Sequence, residues 1–465
     1  MDMLTCDLNR LSKVPLYEQL YEHIKNEIIK GRLAFQTKLP SKRKLADFLQ
    51  ISQNTVDTAY NQLTAEGYLE VIPRKGYFVM AYEDLEYIEK VDVPKQYKER
   101  AVNLRFHFHP GQIDTNHFPF EVWRKIAKKF ISSEHQELLL QGNPQGEYEL
   151  REEIANYLYQ ARGVICTPEQ IIVGAGAEIL LQQLLSLLAN DTVYGVEDPG
   201  YHLIHRMLRT YPKEVHPLAV DEDGLIVENI EEADIDVAYV TPSHHFPYGT
   251  ILPINRRMKL LSWANANDRR YIIEDDYDSE FRYRGKSIPS LQSMDQGGKV
   301  IYLSSFSKSL TPSIRISYMV LPKQLLCWYK NELAFYHSTV SRIDQHILAD
   351  FIRKGMFEKH LNRMRKVYRQ KLEIVLNQLK FFPDKISIIG GNSGLQVVLV
   401  INNGMSEEEL VLRAAAENIR IYPLSAYRLM KKEEKLPTIV LGFAGIPIEQ
   451  LKEAIYILLI SWKIE

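Results

Sequence analysis

Cysteine is scarce: Cys6, Cys166 and Cys327 are the three in 465 residues. They are far apart and odd in number, which excludes a disulfide framework and fits no zinc-ligand spacing. A reducing cytoplasm is the expectation. Long apolar runs are missing, none approaching the roughly 18 residues of a membrane span. The opening Met1-Asp2-Met3-Leu4-Thr5-Cys6-Asp7 has no basic region followed by an apolar core, so no secretory signal is expected there. An excess of one charge is missing too. Lys and Arg number 57 against 59 Asp and Glu, a net charge of −2, so the molecule as a whole is not a polyanion binder. Internal repeats and low-complexity tracts are absent. The 45% hydrophobic and 25% charged composition is that of an ordinary globular protein, and the length suits two or three domains.

Charge is nevertheless uneven. Between positions 25 and 45 stand Lys25, Lys30, Arg32, Lys38, Lys42, Arg43 and Lys44 against Glu27 alone, a local patch able to meet phosphates. Residues 12–80 around it read as a compact unit. Leu16, Leu20, Ile24 and Ile28 recur at helical spacing up to Gly31. Ser41 is placed to cap a second helix carrying Leu45, Ala46 and Leu49, and Ser52 a third carrying Val56, Ala59, Tyr60 and Leu63. Two short strands, Tyr68 to Ile72 and Tyr77 to Met80, flank Pro73-Arg74-Lys75-Gly76. Three helices and a two-stranded wing form a DNA-reading arrangement, with the third helix in the major groove. Ser52, Gln53, Asn54 and Thr55 open that helix, and carboxamides pair with adenine. Ser41, Lys42, Arg43, Arg74 and Lys75 are the expected phosphate or groove contacts. The competing reading is a small bundle with a solvated basic face.

Residues 81–102 alternate acidic and basic side chains around Pro94 and read as a linker. From 103 to 465 strand-like and helical segments alternate, which predicts a sheet covered on both faces. The buried strands expected are Ile171–Gly174, Val237–Val240, Tyr271–Ile273 and Val300–Leu303. Thr167-Pro168-Glu169-Gln170 carries a capping-box pattern with proline at the first helical position, and a packed helix follows over Glu178–Leu188. A smaller α/β lobe is expected beyond about 385, with strands at Gln396–Ile401 and Thr438–Leu441 and helices near 406–417 and 448–462.

The chemistry concentrates after two of these strands. Lys308 lies in Ser304-Ser305-Phe306-Ser307-Lys308-Ser309, with Arg315 downstream. A lysine among hydroxyls, followed by an arginine, is what a pyridoxal phosphate (PLP) site needs: an amine for a Schiff base with the aldehyde, and donors for a dianionic phosphate. Alone the segment could be an exposed serine-rich loop. About thirty residues earlier stands Ile272-Ile273-Glu274-Asp275-Asp276-Tyr277-Asp278. Asp275 and Tyr277 fall on one side of an extended chain, a carboxylate for the pyridine nitrogen and a donor for the phenolic oxygen. The bland reading is an acidic loop. A metal is not expected, because no histidine or further carboxylate sits nearby at ligand spacing. Gly174-Ala175-Gly176 joins a strand to a helix whose first amides can face a phosphate; it lacks the third glycine of a dinucleotide fingerprint. Tyr201, after Pro199-Gly200, could stack on the cofactor ring or simply pack.

Val14-Pro15-Leu16-Tyr17, Leu39-Pro40-Ser41-x-Arg43 and Leu63-x-x-Glu66-Gly67-Tyr68 resemble the winged helix-turn-helix of GntR-type bacterial repressors. Thr241-Pro242-Ser243-His244, Ile272 to Phe281, Phe306 to Leu310 and Arg315 to Val320 resemble a fold-type-I PLP aminotransferase. The combination, over nearly the whole chain, is similar to the MocR branch of the GntR-type regulators. The resemblance implies an α/β effector body of a large mixed-sheet domain and a small C-terminal lobe. It implies Lys308 as the Schiff-base lysine, Asp275 at the pyridine nitrogen, Tyr277 at the phenolic oxygen and Tyr201 on the ring. Ser305, Ser307, Arg315 and the Ala177 and Glu178 amides would hold the phosphate. Partners implied are double-stranded DNA, a small-molecule effector and a second copy, in a head-to-tail dimer with swapped DNA-binding heads. Two positions depart from the pattern. Gly445 stands where the arginine for a substrate carboxylate is expected. The missing clamp is an interaction of about 1.5–3 kcal/mol, which argues against GABA as the effector. Phe246 begins the turn that aminotransferases start with asparagine.

The reading is a regulator that senses an amine-bearing molecule or PLP itself, with little turnover. Its rivals are an active aminotransferase carrying a DNA-binding head, and a plain repressor with a dead pocket.

Overall fold

The computed structural model describes residues 6–80, 104–211, 213–283, 285, 287–430 and 436–465. The chain divides into two compact units, residues 1–101 and 102–465. The segment read as a linker over 81–102 lies outside the described residues.

In the first unit, α1 (Leu16–Ile29) buries Leu20, Ile24 and Ile28 along one face. The hydroxyl of Ser41 accepts the Lys44 N–H at 3.4 Å and starts α2 (Lys42–Leu49). Ser52 does the same for α3 (Gln53–Ala65), accepting the Thr55 N–H at 3.1 Å. Each cap satisfies an amide that the helix cannot. Val56, Ala59, Tyr60 and Leu63 of α3 are buried against α1 and α2. The Tyr60 hydroxyl, the polar tip of a buried ring, donates to the Pro40 carbonyl at 3.0 Å. The wing is an antiparallel pair, β1 (Leu69–Ile72) and β2 (Gly76–Val79), in register Leu69↔Val79 to Ile72↔Gly76.

The second unit is built on an eight-stranded sheet. Across it run Ile171–Gly174, Ser317–Val320, Val300–Ser305, Tyr271–Asp276, Val237–Val240, Val193–Asp198, Glu214–Asp221 and Gly224–Leu225. The five from Val300–Ser305 to Glu214–Asp221 are mutually parallel. Ser317–Val320 is antiparallel to both neighbours, and Gly224–Leu225 to its one. Alternation along the strands sends side chains to opposite faces: Ile171 and Val173 join one apolar cluster and Ile172 another. This is why the central strands are near-continuous apolar runs.

Several element bounds differ from expectation by a residue or two, and two differences have a clear physical cause. The capping box at Thr167 forms, but Pro168–Gln170 is a single 3-10 turn, because the strand at Ile171 begins at once. The strand at Tyr271 continues to Asp276. Its acidic end is accommodated because Glu274 accepts the N–H groups of Leu291 and Gln292 at 2.7 and 2.8 Å, while Asp276 pairs with buried Arg162 at 2.7 Å.

The small lobe has a four-stranded antiparallel sheet, Ile386–Ile389, Gln396–Ile401, Thr438–Gly442 and Tyr422–Pro423 in spatial order. Helices Glu407–Ala416 and Ile448–Ser461 accompany it. Trp462 is fully buried and donates its indole N–H to the Leu410 carbonyl at 3.2 Å.

Candidate cofactor site

The carboxyl ends of the parallel strands open on a cavity of about 370 Å³. Its wall contains Ala177, Glu178, Tyr201, Asp275, Tyr277, Ser305, Ser307, Lys308 and Arg315, the nine residues that the sequence nominated. Four strands (Ile171–Gly174, Val193–Asp198, Tyr271–Asp276 and Val300–Ser305) and the segments after them supply these side chains, as expected for a ligand crevice at the carboxyl edge of an α/β sheet.

Asp275 and Tyr277 face the cavity, while Glu274 and Asp276, one residue out of phase, are committed to the partners given above. The acidic run is therefore split between a wall and a structural role, and its carboxylates do not converge. Tyr239, on the adjacent parallel strand, donates to Asp275. Burial pushes the Asp275 carboxyl up to about 7, with Tyr239 opposing.

Lys308 follows the strand Val300–Ser305, and its ammonium donates to the Pro110 carbonyl. Burial pulls the amine down to about 8 against the opposing pull of Asp278. At one end of the cavity the helix Ala177–Leu187 starts with no side chain capping its first amides. They are available to an anion, in the favourable field of a helix N-terminus. Arg315 reaches over them, donating to Glu178 at 2.8 Å and to the Ala175 carbonyl at 3.3 Å. Gly176, at φ +105°, makes this possible: a Cβ there would lie 2.0 Å from the Arg315 guanidinium. A half-buried carboxylate sharing a wall with a lysine, with hydroxyls, an arginine and open amides beside them, suits a phosphorylated pyridine aldehyde. The donor set fits PLP.

Several wall residues escaped the sequence reading: His109, Pro110, Gly111, Leu203 and Tyr427; Thr241 and Phe246 were noticed in motifs but not nominated for the wall. Phe246 is an aromatic hub, with ring centroids 5.8 Å from Tyr201, 5.0 Å from Tyr427 and 6.2 Å from Tyr277. Gly445 does not line the cavity. A Cβ there would meet Gln112 at 2.7 Å, so that space is already filled by a neutral amide. Elsewhere, Glu147, Glu149 and His346 bring ligand-type atoms within 4.8 Å of one another. Glu147 already accepts two hydrogen bonds from Arg342 at 2.9 Å, and a cation would have to displace that guanidinium.

In the first unit, Gln53 and Asn54 are exposed at the start of α3, and Arg43, Arg74 and Lys75 are exposed as well. Four nominated groups are partly engaged, Ser41 among them as the cap of α2. The Ser52 hydroxyl, besides capping α3, lies 2.8 Å from the Thr55 hydroxyl. Lys42 pairs with Asp57 and sits 5.2 Å from the Tyr77 ring centroid. It is not the open cation that its place in a basic run suggested.

Comparisons with known proteins agree with both units. Residues 16–79 match the bacterial regulatory proteins of the gntR family, and residues 110–458 match aminotransferase class I and II. The HTH-type transcriptional regulator YdeL of Bacillus subtilis is 44% identical over 464 residues, covering 99% of this chain and 100% of YdeL. The probable rhizopine catabolism regulatory protein MocR of Rhizobium meliloti is 34% identical, covering 96% and 94%. Among solved structures, an archaeal alanine:glyoxylate aminotransferase superposes with a TM-score of 0.70 at 24% identity, covering 78% of this chain and 91% of that one. Among the described residues no helix is long and apolar enough to cross a membrane. A GntR head followed by a PLP-dependent aminotransferase body, with full-length likeness to HTH-type regulators, makes this chain a transcriptional regulator belonging to the MocR branch of the GntR family.

Proposed function

We propose that the body is a sensor whose cofactor pocket is read by the DNA-binding head. The observation that carries this is the single cavity joining Lys308, Asp275, Tyr277 and Arg315. PLP supplies an aldehyde that captures primary amines and a ring that withdraws electrons when its nitrogen is protonated. Lys308 is the covalent anchor. Asp275 faces the pyridine nitrogen, Tyr277 the phenolic oxygen, and Tyr201 the ring face. Ser305, Ser307, Arg315 and the amides of Ala177 and Glu178 take the phosphate.

The effector is a primary amine or PLP itself. Leu203, Phe246 and Tyr427 form part of the apolar wall, and Gly445 supplies no cation for a carboxylate, so the pocket favours an amine with an uncharged tail over an amino acid. Without a carboxylate clamp, turnover is slow. A ligand moves the head only through a difference in affinity between two arrangements of the protein. In the head, Gln53 and Asn54 read base edges, with Ser52 and Thr55 ordering the start of α3. Ser41, Lys42, Arg43, Arg74 and Lys75 face the phosphates, Lys42 by leaving Asp57. The protein works in the cytoplasm on repeated half-sites, as a head-to-tail dimer with swapped heads, its units being 12–80, a linker 81–102, and 103–465.

The test compares operator binding by cofactor-free protein, the PLP-loaded form, and that form with a panel of amines and amino acids. Affinity is expected to change on adding PLP or a primary amine with an uncharged tail and not with amino acids. Lys308→Ala is expected to remain colourless with PLP while keeping basal DNA binding. Covalent PLP on that variant would refute the lysine assignment, and steady keto-acid production from amino acids would favour the enzyme.

A further inference from the structure

Tyr277 lines the cavity, but its oxygen is also met by buried groups that do not. His244 Nδ1 lies 3.0 Å from the Tyr277 hydroxyl and 2.7 Å from Asp278 Oδ1. Gln396 Nε2 lies 3.4 Å from the same hydroxyl. His244, Asp278 and Gln396 are 4%, 1% and 3% exposed. They arrive from three segments: the turn after Val237–Val240, the chain after Tyr271–Asp276, and the small-lobe strand Gln396–Ile401.

The chemistry of these contacts fixes where hydrogens lie. A carboxylate oxygen accepts only, so the short contact with Asp278 puts a proton on His244 Nδ1. The single N–H of that nitrogen is turned to Asp278, so it offers Tyr277 no lone pair. Gln396 turns an N–H towards the hydroxyl. Neither neighbour accepts the phenolic hydrogen, which is left to point into the cavity. The imidazole is also locked in place. A Cβ on Gly394 would fall 2.0 Å from His244 Cε1, and one on Gly249 3.0 Å from Nε2. Both glycines hold left-handed backbone, at φ +77° and +71°, and their backbone closes on the ring from the small lobe and the large domain. The neighbouring Phe246 carries no polar atom, so it does not share the donor role.

We propose that Asp278, His244 and Gln396 are positioning residues that hold the Tyr277 hydroxyl as a hydrogen-bond donor into the cavity, aimed at the phenolic oxygen of PLP. The inference rests on the PLP reading of the cavity. Asp278→Asn is the informative change. An asparagine amide no longer requires a proton on Nδ1, which lets the ring proton move to Nε2 and leaves on Nδ1 a lone pair for which the Tyr277 hydroxyl competes. The hydroxyl then turns away from the cavity at nearly constant side-chain volume.

Asp278 also lies close enough to act on the charge of Lys308, so a single variant confounds charge with hydrogen bonding. The experiment is a double-mutant cycle with Asp278→Asn and Tyr277→Phe. It reads the pH at which the absorbance of the PLP-loaded protein changes and the retention of PLP on dilution. Each single variant is expected to weaken retention about tenfold, as for one hydrogen bond to a charged group, and to shift the absorbance transition. The double variant is expected to match Tyr277→Phe. An additive double variant, or Asp278→Asn with wild-type absorbance and retention, overturns the proposal. If Asp278→Asn does not fold, Gln396→Leu takes its place in the cycle. Loss of retention that vanishes in the Tyr277→Phe background supports the proposal, and a gain in retention or an additive loss overturns it. A wild-type protein that takes up no PLP would instead overturn the underlying reading, so the two failures are distinct.

Discussion

Lys308 should behave as a nucleophile near neutral pH, and the structure sets the size of the effect. The neutral amine attacks the aldehyde; the ammonium does not. Burial disfavours the ammonium and brings the amine down to about 8 from the 10.5 of an exposed lysine. At pH 7 about a tenth of the molecules then carry a neutral Lys308, against about 0.03% for an exposed lysine. That is an advantage of about 300-fold, and a midpoint as high as about 9 would still leave about 30-fold. The perturbation is pH. Cofactor-free protein is mixed with PLP across a pH series and the growth of visible absorbance is timed, with N-acetyl-lysine as reference under the same conditions. Dividing one profile by the other cancels the titration of PLP itself. The protein rate is expected to rise with pH and level off above about 8, while the reference keeps rising towards about 10.5. A protein profile parallel to the reference at every pH would refute the reasoning, because Lys308 would then be titrating like a solvated lysine.

Three further changes probe other parts of the molecule. Gly176→Ala places a Cβ against Arg315 and strains left-handed backbone by about 1–3 kcal/mol; PLP retention is expected to fall while pyridoxal, which has no phosphate, binds as before, measured by equilibrium dialysis. Arg74→Ala and Lys75→Ala are expected to lower affinity for all DNA sequences alike and to reduce the slope of log affinity against log salt by about 0.9 for each phosphate left without its cation, read by fluorescence anisotropy. Ser52→Ala removes the cap of α3 and is expected to cost about 1 kcal/mol, seen as an earlier thermal transition of the head by circular dichroism.

Much of this was legible in the chain because strands buried on both faces announce themselves as apolar runs. Ile171–Gly174, Val237–Val240 and Gln396–Ile401 were recognisable to the residue. Asp275 and Tyr277 could be singled out from Glu274 and Asp276 because a strand alternates sides. The pairing of Tyr239 with Asp275 could not be seen. The two are 36 positions apart and meet only because parallel strands register Tyr239 with Ile273. The same holds for Pro110 beneath Lys308 and for Gln396 beside Tyr277, neighbours that depend on how segments cross and carry no local pattern. The partner of Lys42 was equally out of view. A basic run suggests solvation, and one turn into α3 Asp57 was waiting for it.

Gln396 belongs to the small-lobe sheet, and Gly394, two residues earlier, presses its backbone on His244. The small lobe thus touches the hydroxyl that Tyr277 brings to the cavity wall. Linkage runs both ways: whatever steadies that oxygen also steadies the join between the lobes. Loading the pocket should therefore slow amide exchange along Gln396–Ile401, a strand whose residues, save its first, are remote from the bound molecule, and the lobe would carry news of occupancy away from the pocket without any residue of the wall having to move far.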